Sequence, residues 1–80
     1  MTKIGERGIR MSLKLKLKLA RIEKGQVQSD IAKVLNVTEQ TYNRKELGIR
    51  DFTLKECIKL SRYFGKSMDE LFMDSSDIRQ

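Results

Sequence analysis

The chain has 80 residues, enough for one small domain with a modest core. Seventeen Lys/Arg against eleven Asp/Glu give a net charge of +6 and a pI near 9.7, a balance that points to a polyanionic partner. No run of roughly 18 apolar residues is present to span a membrane, and no charged-then-apolar leader with a small-residue cleavage site opens the chain. A single cysteine excludes an internal disulfide and makes the cytoplasm the default location.

The positive charge is concentrated early. Residues 1–24 hold eight Lys/Arg against Glu6 and Glu23, whereas residues 67–80 carry a net charge of −3. Residues 1–12 lack periodicity, contain two glycines and read as a flexible basic arm; Met11 offers a second candidate start. Leu13 to Leu19 alternates Leu and Lys, a strand signal. Leu13, Leu17, Ala20 and Lys24 also fit one face of a helix, with Leu15, Leu19 and Ile22 as a second apolar stripe. Gly25 is a natural stop. A helix over Leu15–Lys24 is the reading adopted, with a small strand or a surface-active amphipathic segment as rivals.

Gln28 to Leu35 predicts a short helix with Ile31, Val34 and Leu35 inward. Asn36 follows, a residue that tolerates the left-handed turn conformation. Thr38 is placed as an N-cap with Glu39 in the first turn, opening a helix over Glu39–Leu47 that stops at Gly48. Thr53-Leu54-Lys55-Glu56 is a capping box for a fourth helix ending at Gly65, and Ser67-Met68-Asp69-Glu70 is a second box for a short fifth helix with Leu71 and Phe72 inward. Residues 74–80 form a polar tail. The domain is therefore bounded at residues 13–73.

Two short helices joined by a tight turn make a DNA-binding helix-turn-helix motif when the critical positions are small or apolar. Here Ala32 lets the helices approach, Asn36 and Val37 form the turn, and Tyr42 anchors the second helix. Glu39, Gln40, Asn43 and Arg44 are then left facing outward.

Leu17 to Phe72 resembles the Cro/phage-repressor (XRE-type) family. The matching residues include Arg21, Gly25, Gln28, Ile31-Ala32, Val37-Thr38, Arg44, Glu46, Gly48, Thr53-Leu54 and the Ser67 to Phe72 element. The resemblance implies an all-α, five-helix, lambda-repressor-like domain with its motif at residues 28–47. It also implies a transcription regulator, expected to be a repressor, that binds double-stranded DNA as a homodimer. By the same resemblance, Glu39, Gln40 and Arg44, with Asn43 nearby, read bases. Arginine suits guanine, glutamine suits adenine, and glutamate accepts from cytosine. Gln28 and Thr38 would hold phosphate, with Lys18 and Arg50 as further phosphate contacts. Arg21 and Glu46 match a buried ion pair between the first and third helices.

Several residues depart from the family pattern. Lys45 stands where an apolar residue is usual, so its stem would have to snorkel or the third helix pack differently. Gln26-Val27 removes the expected cap of the second helix. Phe52 replaces a frequent proline, and Leu47 and Ile49 flank Gly48 where polar residues are usual. Residues 28–47 also balance to zero net charge. That neutrality and the Leu47/Ile49 pair leave an alternative open, a protein-interaction subunit such as an antitoxin or antirepressor. A membrane role for the basic arm is not favoured. Neither a catalytic site nor a cofactor or metal is expected. With no histidine in the chain, Cys57 has nothing to activate it or to share a metal with it.

Overall fold

The computed structural model describes residues 14–73, which form five helices: α1 (Leu15–Glu23), α2 (Gln28–Leu35), α3 (Glu39–Glu46), α4 (Leu54–Phe64) and α5 (Met68–Phe72). The expected basic arm, Leu13 and the polar tail lie outside the described residues. The described part of the Leu-Lys alternation is helical. Leu17, Ala20 and Arg21 are spaced as one helical face and are buried, whereas Leu15, Leu19 and Ile22 are about half exposed, at 48%, 51% and 52%. The second apolar stripe therefore faces away from the core. No side chain caps α1; the backbone N–H of Lys14 instead donates to the Glu46 carbonyl at 2.9 Å, tying the start of α1 to the end of α3.

The helix ends follow local chemistry. Thr38, Thr53 and Ser67 each accept a hydrogen bond from a backbone N–H three residues on, satisfying a donor the helix cannot. Glu56 and Glu70 return the bond to Thr53 and Ser67. At α2 the capping residue is Val27, which has no side-chain oxygen. Half of a box survives, because the Asp30 carboxylate accepts the Val27 N–H at 2.9 Å. Asn36 closes α2 at φ 60°, and the Val37 N–H reaches back to the Ala32 carbonyl at 3.0 Å, a six-residue closure that turns the apolar Val37 inward. Gly65 closes α4 at φ +64°; a Cβ there would meet no atom within 4 Å, so backbone conformation alone calls for glycine. Helix α3 stops at Glu46, one residue short of the expectation, with Leu47 as its C-cap.

Helix α2 packs against α3 and α4, and α1 against α3 and α5. Their shared core is Leu17, Ala20, Ile31, Ala32, Leu35, Tyr42, Leu60 and Leu71. Phe52 packs on its edge between Tyr42 and Phe72, with ring centroids 6.1 and 5.4 Å away. The aromatic ring thus occupies the position where the resemblance led one to expect proline.

A candidate nucleic-acid interface on the second and third helices

What a helix can present to a groove depends on what its other face is fastened to. Ala32 is buried with almost no side chain of its own, which permits close approach of α2 and α3. On α3, Tyr42 and Glu46 lie one turn apart and both point inward. Glu46, 2% exposed, collects four donors. Its Oε2 accepts from Arg21 Nε at 2.9 Å and from the Tyr42 hydroxyl at 2.8 Å. Its Oε1 accepts from Arg21 Nη2 at 3.1 Å and from Gln28 Nε2 at 2.9 Å. Arg21 also donates through Nη1 to the Gln26 carbonyl at 3.1 Å, so one guanidinium joins α1, the loop before α2 and the end of α3.

The electrostatics follow from this geometry. Burial opposes the charge on Glu46, yet the bonds from Arg21, Gln28 and Tyr42 together outweigh it and hold the carboxyl below its usual range. Arg21 is raised, chiefly by its hydrogen bond to Glu46. Tyr42 is pushed well above an ordinary phenol, first by burial and then by donating to a carboxylate.

Lys45 does not carry its charge out to water as a snorkelling side chain would. It is 6% exposed, and its Nζ meets Glu56 Oε1 at 2.6 Å. The same oxygen accepts the Thr53 N–H at 3.0 Å, so the acid that caps α4 also neutralises a buried cation from α3. Burial works against the Glu56 charge, but Lys45 and Thr53 together hold its carboxyl low. Sequence reading assigned Glu56 only its capping role. The cation eleven residues earlier lies across a loop, where periodicity carries no signal.

With that inner face fixed, Glu39, Gln40 and Arg44 project from α3 as exposed side chains with no side-chain hydrogen bond or ion pair among the described residues. Thr38 is exposed, but its hydroxyl already serves the cap, accepting from the Thr41 N–H and donating to Thr41 Oγ1. Arg50 is exposed just beyond α3, and its N–H donates to the Arg44 carbonyl at 3.2 Å. Lys18 is exposed on α1. Gln28 and Asn43 are only half exposed and meet each other: Asn43 Nδ2 donates to Gln28 Oε1 at 3.0 Å. Asn43 is thus turned toward α2 rather than standing free beside Arg44. The signal was present in its register, three residues before Glu46 on the inner side of α3.

Further apolar side chains are exposed after α3 and on the first turns of α4. Leu47 and Ile49 are 40% and 58% exposed, and Leu54 and Ile58, one turn apart on α4, are 69% and 37% exposed. No cluster of three or more His, Cys, Asp or Glu able to hold a metal occurs among the described residues. None of the described helices is long and apolar enough to cross a membrane.

Comparison with known proteins agrees with this geometry. Residues 17–71 match the helix-turn-helix family. The chain is also similar to an uncharacterized HTH-type transcriptional regulator of Methanocaldococcus jannaschii, 35% identical over 65 residues that cover 81% of this chain and 98% of that relative.

Proposed function

The chain belongs to the helix-turn-helix family of the Cro and phage-repressor kind, and from that premise we propose that it is a sequence-specific transcription regulator, a repressor, that inserts α3 into the major groove of double-stranded DNA. The coarser role, a DNA-binding regulator rather than an enzyme, comes with the family. The finer reading is carried by one observation: Glu39, Gln40 and Arg44 stand exposed on one helix whose opposite side is pinned by Tyr42 and Glu46. A recognition helix needs rigid seating and free polar tips. Arg44 is the residue suited to guanine O6/N7, Gln40 to adenine and Glu39 to a cytosine amine. Gln28, Thr38, Arg50 and Lys18 are the proposed phosphate contacts. Gln28 retains one amide N–H for this after bonding Glu46, because a primary amide has two.

The protein acts as a homodimer on a near-palindromic site with half-sites about one helical turn apart. Support for pairing comes from the exposed Leu47, Ile49, Leu54 and Ile58, apolar side chains on the segment that leaves α3 and on the first turns of α4. A second reading, a protein-interaction subunit such as an antitoxin or antirepressor, draws on the same apolar residues and on the zero net charge of residues 28–47.

Selection from random duplexes, followed by titration against scrambled DNA at physiological salt, tests the proposal. A near-palindrome preferred by about a thousandfold is expected. Arg44→Ala should then lose about 1–3 kcal/mol, confined to one base pair in each half-site. No enrichment, with weak binding that disappears as salt rises, refutes sequence-specific regulation and favours a protein partner.

A further inference from the structure

The buried Glu46 faces donors only, and the consequence extends through Gln28 to Asn43, half exposed where α2 and α3 meet. We infer that Glu46, acting through Gln28, fixes the polarity of the Asn43 amide, so that Asn43 selects a base carrying an exocyclic amine, adenine or cytosine, over guanine or thymine. This inference rests on the DNA-binding reading above.

The chain of reasoning starts at the carboxylate. Both Glu46 oxygens are acceptors, and Arg21 and Tyr42 leave Oε1 with room for Gln28 at 2.9 Å. Gln28 must therefore present its Nε2; the flipped amide would set Oε1 against a buried anion. The Gln28 oxygen then faces α3, where only a donor is tolerated, and Asn43 meets it with Nδ2 at 3.0 Å. Asn43 cannot exchange its oxygen and nitrogen without breaking this bond and opposing two carbonyls. No donor among the described residues reaches Asn43 Oδ1.

An unrestrained asparagine turns its amide to suit the base it meets. A restrained one presents its oxygen in a single place. In the major groove adenine N6 and cytosine N4 are donors, whereas guanine O6 and thymine O4 are acceptors and would oppose that oxygen. Asn43 is thus a polarity-fixed reader, and Gln28 and Glu46 are positioning residues behind it.

The test compares base selection by the wild type, Asn43→Ala and Gln28→Met. The methionine keeps the length of the side chain and leaves the bonds of Glu46 to Arg21 and Tyr42 in place; thermal melting confirms that the variant is folded. Gln28→Asn, too short to reach both partners, serves if the methionine variant does not fold. The base pair read by Asn43 is the one whose preference disappears in Asn43→Ala. At that pair the wild type should favour adenine or cytosine by about tenfold, the worth of one well-made hydrogen bond. Gln28→Met should reduce this to within about twofold while the pair read by Arg44 keeps its preference. A uniform loss on every sequence is expected from the lost phosphate contact; undiminished preference at the Asn43 pair in Gln28→Met, with or without that loss, overturns the inference and makes Gln28 a phosphate contact only. A keto base preferred at the Asn43 pair overturns it too. A wild type that selects no sequence at all refutes the DNA-binding reading and this inference with it; the other failures leave that reading standing.

Discussion

Glu46 illustrates how a buried charge can be stabilising in place and damaging when its partner is removed. Its four hydrogen bonds exceed what two charges alone could offset against desolvation. Arg21→Ala removes two of them and leaves an anion 2% exposed without a countercharge. The expected loss is about 3–5 kcal/mol, read from urea unfolding midpoints. A domain of this length has about 4–12 kcal/mol in total, so the loss is a large fraction of its stability. Tyr42→Phe keeps the packing of the ring and the Arg21 pair but gives up one bond to a charged group. It should cost about 2 kcal/mol. Equal losses in the two variants would mean that the ion pair contributes no more than a single hydrogen bond. Sequence reading anticipated the Arg21 and Glu46 pairing through the family resemblance, and Tyr42 as a core anchor. It did not anticipate that Tyr42 and Gln28 share the same carboxylate, because the convergence of three helices on one side chain has no period along the chain.

At the scale of the helices, most boundaries were legible because their causes are local. Thr38, Thr53, Ser67, Asn36 and Gly65 act on the backbone within a few residues of themselves, and the structure uses them as caps. What remained illegible is which side of a helix finds a partner. Helix α1 carries two apolar stripes, yet only the side of Leu17 and Ala20 lies on the core, since α3 and α5 approach from one direction. The α3–α4 junction shows the same limit. Glu56 had a complete local explanation as a capping residue, so nothing in the sequence called for Lys45 as well. The two roles can be separated by mutation. Thr53→Ala removes the cap and leaves Lys45 paired, and about 1 kcal/mol should be lost. Glu56→Ala removes the return half of the box and strands a buried ammonium, and about 3 kcal/mol or more should be lost. Urea denaturation of both variants measures the difference; comparable losses would show that Lys45 escapes to water once its partner is gone.

For the whole molecule, the two ion-paired carboxylates predict how stability depends on pH. Glu46 and Glu56 both titrate lower in the folded chain than the ordinary value of 4.5. A depressed folded pKa means that the unfolded chain binds protons first. The stabilisation is therefore complete above about pH 4.5 and is lost as pH falls through the lower folded values. Between about pH 5 and 8 no side chain of ordinary pKa titrates, because the sequence has no histidine. The melting temperature should accordingly be level from pH 8 to 5 and fall steeply below 4.5. Acid also raises a net charge that is already +6, and general repulsion could produce a similar fall. Salt separates the two causes. Repulsion among exposed charges is screened at about 1 M salt, where the Debye length is about 3 Å, whereas buried pairs are screened much less. If protonation of Glu46 and Glu56 is the cause, the acid fall persists in 1 M salt, and Glu56→Gln, with a lower plateau at pH 7, shows a shallower descent. If salt restores the melting temperature at pH 3.5, charge repulsion governs acid unfolding and the paired carboxylates do not set its course.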